Sequence, residues 1–96
     1  MEATKLIYSS HAVKRMQQRG INSKVVNFIF EHGIKSNTHQ DDRYIFNAKK
    51  QKQINNQLLR LPIYKKFDKQ IQSTALIVND NHLITAYKIN KRLRNA

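Results

Sequence analysis

Ile71-Gln72-Ser73-Thr74-Ala75-Leu76-Ile77-Val78-Asn79-Asp80-Asn81-His82-Leu83-Ile84-Thr85-Ala86-Tyr87-Lys88-Ile89 is the stretch that decides the fold. Its two arms are rich in Ile, Val, Leu and Thr, side chains that crowd a helix and pack well on a pleated surface. Between them Asn79-Asp80-Asn81-His82 is turn chemistry, because short amide and carboxylate side chains bond nearby backbone and tolerate a left-handed conformation. The segment reads as an antiparallel hairpin with strands Ile71 to Val78 and Leu83 to Ile89.

Working outward, Tyr44-Ile45-Phe46 marks a strand from Arg43 to Asn47. Ile34 to Thr38 is its candidate partner, joined to it by a loop from Asn37 through Asp42. From Lys49 to Leu61 the chain is basic, with Ile54, Leu58 and Leu61 at i, i+4 and i+7. That spacing predicts a helix, which Pro62 ends. At the other end, Thr4 to Tyr8 reads as a short strand and Ser9-Ser10 as the cap of a helix from His11 to Arg19. Ala12, Val13 and Met16 share one side of that helix; His11, Arg15, Gln18 and Arg19 share the adjoining one. Gly20 ends it, Asn22 or Ser23 caps a second helix carrying Val25, Val26, Ile29 and Phe30, and Gly33 stands just past its end. The order is β-α-α-β-β-(α)-β-β. It predicts an α+β fold in which two N-terminal helices cover one face of a small antiparallel sheet.

The chain has 96 residues, enough for a single domain with one modest core, and a loose basic tail is expected from about residue 90, where Lys91, Arg92 and Arg94 fall. Lys and Arg number 18 against 6 Asp and Glu, a formal charge of +12. Such an excess destabilises a compact state by self-repulsion unless a polyanion or an acidic protein offsets it. The plain alternative is that the lysines only keep the protein soluble. With no cysteine, disulfides, thiolate metal sites and a cysteine nucleophile are excluded. No run is apolar enough for a signal peptide or a membrane span, so a cytoplasmic protein without a membrane role is expected. Only two glycines are present, both assigned to helix ends, which leaves no glycine-rich phosphate loop.

Chemistry concentrates on the first helix. His11, Arg15 and Arg19 lie at i, i+4 and i+8, a ladder on one flank. The two arginines repel, no Asp or Glu stands on that helix to relieve them, and an anion would. The guanidinium fork suits phosphate oxygens. In the first helical turn the positive helix terminus and Arg15 disfavour a further charge, which suits the neutral imidazole a general base requires. The alternative is that His11 is a capping or surface residue and the arginines are a solvated face. On the last strand Thr85 and Tyr87 share a face, where a hydroxyl can bond phosphate and a ring can stack on a base or protonate a leaving oxygen. Ordinary strand packing explains each of them as well. Arg43 and Tyr44 form a further basic and aromatic pair, of which only one can face the same cleft. Asp41-Asp42 is the only carboxylate pair, and His32, His39 and His82 show no ligand spacing with it, so no metal site is expected.

Tyr8-Ser9-Ser10-His11-Ala12-Val13-Lys14-Arg15-Met16-Gln17-Gln18-Arg19-Gly20-Ile21 resembles the opening signature of small bacterial proteins with the pattern Ser-x-His-Ala-x-x-Arg-Met-x-x-Arg-Gly-Ile. Their strand near the end is similar to Ile84-Thr85-Ala86-Tyr87. Those proteins resemble the broad superfamily of RelE-type toxins, EndoU-like nucleases and colicin-type RNases, with a RelE- or barnase-like fold. The resemblance implies helices packed on a small antiparallel sheet and metal-independent RNA cleavage, often by a toxin that an antitoxin neutralises. By motif position it marks His11, Arg15 and Arg19, then Thr85 and Tyr87. The signature spans about one seventh of the chain, and the basic segment Lys49 to Lys69 is longer than the usual middle region.

The expectation is a cytoplasmic endoribonuclease that needs no cofactor and works by attack of the ribose 2′-hydroxyl on the adjacent phosphate. His11, Arg15, Arg19, Thr85 and Tyr87 form its catalytic set. Lys14, Arg43, Tyr44, Lys49, Lys50, Lys52, Lys65, Lys66, Lys69 and Lys88 guide the RNA, and an acidic antitoxin or immunity protein is the second partner. The alternative is a nucleic-acid binder without catalysis that uses the same helix face.

Overall fold

The computed structural model describes residues 5–37 and 40–89. Its fold is α+β, with four helices and a five-stranded sheet. The expected basic tail from residue 90 and His39 lie outside the described residues.

Strand β1 (Ile7–Tyr8) leads into helix α1 (Ser10–Arg19), and α2 (Ser23–His32) follows. Local chemistry sets both helices. Ser9 caps α1 by accepting a hydrogen bond from the Ala12 amide, Gly20 closes it at φ 64°, and Asn22 caps α2 by accepting from the Lys24 amide. Strands β2 (Ile34–Asn37) and β3 (Asp42–Ile45) come next, then α3 (Ala48–Asn55), a 3-10 turn (Asn56–Arg60), α4 (Pro62–Gln72), β4 (Thr74–Asn79) and β5 (His82–Lys88). The β4–β5 turn places Asp80 and Asn81 at φ 50° and 65°, the conformation their side chains tolerate best among non-glycine residues.

Three expectations are corrected. The segment read as one helix to Leu61 is α3 followed by the 3-10 turn, and Pro62 begins a helix rather than ending one. At the first helical position proline loses no hydrogen bond, and its fixed φ suits the helix. Ile71 belongs to α4, where it is fully buried, and β4 starts only at Thr74. The sheet is mixed rather than antiparallel throughout. Its order is β1-β5-β4-β3-β2, and β1 pairs parallel with β5 through Ile7 to His82 and Tyr8 to Leu83. All other neighbours are antiparallel.

One face of the sheet is the core. Leu76, Val78, Leu83 and Ala86 are buried there with Ala12 and Met16 of α1 and Val25, Val26 and Ile29 of α2. Helix α1 packs on β5, α2 on β4 and β3, and α4 on α2. Alternation along the strands sends the intervening residues to the opposite face. Register there aligns Ser36, Arg43, Ile77 and Thr85 in one row and Ile34, Ile45, Ala75 and Tyr87 in the next.

Candidate nucleic-acid interface

The outer edge of β5 organises the site. Strand β1 covers only its first two residues, and from there the edge is served by α1. Ser9 Oγ donates to the Leu83 carbonyl at 3.0 Å, and Arg19 Nη1 donates to the Ala86 carbonyl at 2.7 Å. These two contacts pin both ends of α1 along the strand.

Arg19 is therefore partly engaged. One of its N–H donors serves the Ala86 carbonyl on the open edge of β5, so it positions the helix, and its other donors have no protein hydrogen-bond partner among the described residues. Arg15 and His11 differ. At about 3.6 residues per turn, Arg19, Arg15 and His11 step around the helix by about 40° each, away from the buried Ala12 and Met16 stripe. Arg15 and His11 therefore stand progressively further round the helix from the buried stripe than Arg19 does. Arg15 is half-buried, with Nη1 donating to Gln18 Oε1 at 3.4 Å, a long contact, and His11 is exposed.

Thr85 and Tyr87, both half-buried, flank the buried Ala86 and project from β5 to the face opposite the core. The two sets thus stand on opposite sides of β5, helix α1 on the core face and Thr85 and Tyr87 on the other, and among the described residues no hydrogen bond or ion pair joins them. A bulge interrupts the strand between them: Ile77 pairs with Thr85 and Val78 with Leu83, so Ile84 is the extra residue.

The other expected contacts disperse. Arg43 shares the row of Thr85, two strands away, whereas Tyr44 turns to the core face, where its ring meets Phe30 at 5.1 Å. Lys14 is exposed on the side of α1 away from the core, and Lys88 is exposed at the end of β5. Lys49, Lys50 and Lys52 are exposed on α3. Lys65, Lys66 and Lys69 are exposed on α4, whose main partner is α2, not α1 or β5. Lys66 has an aromatic neighbour, with Nζ 5.4 Å from the Phe67 ring centre.

Tyr8 is a residue sequence reasoning passed over. Its hydroxyl donates to Asn27 Oδ1 at 2.7 Å, tying β1 to α2, and burial pushes its pKa up from the ordinary tyrosine value. A cleft of about 400 Å³ beside α2, lined in part by Lys24, Glu31, His32 and Leu61, holds none of the expected residues. Among the described residues no three His, Cys, Asp or Glu side chains gather as metal ligands. No helix among them is long and apolar enough to cross a membrane.

Residues 8–88 match the family described as a domain of unknown function, DUF4258. The chain belongs to that family. The match begins at Tyr8 and ends at Lys88, so this DUF4258 chain has α1, the whole sheet from β2 to β5 and the second residue of β1 within the family region. No curated protein and no solved structure matches it.

Proposed function

We propose that this DUF4258 protein is a metal-independent endoribonuclease acting in the cytoplasm, with its working groove across the outer edge of β5. The observation that carries the reading is the Arg19 to Ala86 contact, because it fixes the flank bearing His11 and Arg15 against the strand bearing Thr85 and Tyr87. The +12 charge supplies long-range attraction for RNA, and two long surface ion pairs, Lys35 with Asp42 at 3.6 Å and His32 with Glu31 at 3.9 Å, neutralise little of it.

In this reading the His11 imidazole takes the proton of a ribose 2′-hydroxyl. The 2′-oxygen then attacks the adjacent phosphorus, the bond to the 5′-oxygen of the next nucleotide breaks, and the Tyr87 hydroxyl protonates that oxygen. A 2′,3′-cyclic phosphate and a 5′-hydroxyl result, and water returns the proton from His11 to Tyr87. Arg15 stabilises the charge that grows on the phosphoryl oxygens, while Thr85 donates a hydrogen bond to one of them. Arg19 holds the helix in place. Uncontrolled RNA cleavage is toxic to its own cell, which fits a toxin kept in check by an acidic partner.

The test is cleavage of single-stranded RNA in EDTA by the unaltered chain and by His11→Ala and Arg15→Ala. Each substitution should lower the rate by about a hundredfold or more. Intact RNA with the unaltered protein leaves a binding module without catalysis, and undiminished cutting by both variants removes this groove as the site.

A further inference from the structure

The face of the sheet opposite the core is unusual in what it shows. Ile7, Ile34 and Ile84 are 50%, 42% and 40% exposed, and Ile45 and Ile77 are half-buried between β2 and β5. Ile7 stands on this face because its neighbour Tyr8 joins the core, and Ile34, Ile45 and Ile77 stand there by register. Amid these branched side chains lies Arg43, whose Nε is shut off from solvent without a hydrogen-bond partner. No carboxylate occupies any position of the two rows. A buried donor without an acceptor is costly, and exposed apolar clusters on small proteins mark contact surfaces.

We propose that this face is the docking surface for an acidic amphipathic helix of another protein, which lays its apolar stripe on the isoleucines and a carboxylate on Arg43. Charge selects the occupant. A second copy would bring two +12 surfaces together with Arg43 facing Arg43, whereas an acidic helix is attracted and supplies the missing acceptor. Shape and polarity separate it from RNA. Bases stack on flat rings, and this face offers two far-apart ones, Tyr87 and the exposed His82 beside Ile7, among branched aliphatics that suit the side chains of a helix. The docked helix would also cover Thr85 and Tyr87. The proposal rests on the acidic partner of the ribonuclease reading and gives it a place and a shape, and because its test measures binding and not cleavage the two can fail separately.

The probe is a synthetic peptide of about 16 residues, with Leu and Ile at i, i+3, i+4 and i+7 spacing and Glu on the remaining face, beside an isomer of the same composition in scrambled order. Titrated into the full chain labelled with nitrogen-15, the amphipathic peptide should bind about tenfold more tightly than its isomer and shift the amide resonances of Ile34, Arg43, Ile45 and Ile77. Ile34→Lys combined with Ile84→Lys raises the protein's charge by two, yet should weaken binding about tenfold, as should Arg43→Gln. Both isoleucines are already exposed, and Ile7→Lys is a second variant should the pair disturb the fold. Equal binding of the two peptides, or tighter binding by the lysine variants, means that charge alone attracts the peptide and overturns the proposal. Oligouridylate shifting these resonances where the peptide does not would make RNA the occupant. Dimers that disappear with Ile34→Lys would make it a second copy.

Discussion

Replacing Arg19 by methionine keeps an unbranched apolar stem and removes the charge and the donors. Among the described residues Arg19 has one hydrogen-bond partner, the Ala86 carbonyl at 2.7 Å on the outer edge of β5. A hydrogen bond from a charged donor contributes about 1.5–3 kcal/mol, and the half-exposed setting reduces this to about 1–2 kcal/mol. For a domain of this size that predicts a fall in Tm of about 5–15 °C, measured by circular dichroism. RNA binding supplies the discriminating readout. A side chain on phosphate contributes about 0.7 to the slope of log affinity against log salt for a single strand. Arg15→Met should reduce that slope by about this amount with little effect on Tm, whereas Arg19→Met should lower Tm and leave the slope unchanged. A stable Arg19→Met protein with a reduced salt slope would refute the assignment, because its charge would then be spent on RNA and not on β5.

Ser9→Ala removes both the cap of α1 and the contact to Leu83, and chemical denaturation should show a loss of about 1–2 kcal/mol. Asn81→Gly relieves a non-glycine residue at φ 65° in the β4–β5 turn and should stabilise by about 0.5–1 kcal/mol in the same assay. Burial raises the pKa of Tyr8 above its ordinary value of 10.0, so the folded chain keeps that proton where the unfolded chain has lost it. The stability from this proton is fully present below about pH 10 and declines as pH rises through the folded-state value. Tyr8→Phe should therefore flatten the alkaline loss of Tm, and an unchanged alkaline profile would contradict the burial effect.

Local chemistry was legible and long-range pairing was not. Ser9, Gly20 and Asn22 announce their helix ends because a cap is settled within four residues, and Asp80 with Asn81 announces its turn for the same reason. Pro62 misleads because proline both stops helices and starts them. The apolar positions Ile63, Tyr64, Phe67 and Ile71 were the available sign that a helix follows it, although α4 bends at Phe67. Strand β1 pairs with a partner some 75 positions away, a register that two residues cannot encode by themselves. On the site, the α1 ladder and the shared face of Thr85 and Tyr87 follow from helix and strand periods. The engagement of Arg19 by Ala86 and the turning of Tyr44 toward Phe30 depend on tertiary contacts with no local signature.

The central claim is that His11 and Arg15 face Thr85 and Tyr87 across one edge and hold one RNA strand between them. It is tested most directly by titrating the labelled protein with a single-stranded oligonucleotide made uncleavable by 2′-deoxy substitution. The account predicts that resonances of all four residues shift together, with one common affinity. Shifts confined to the helix pair or to the strand pair would contradict it.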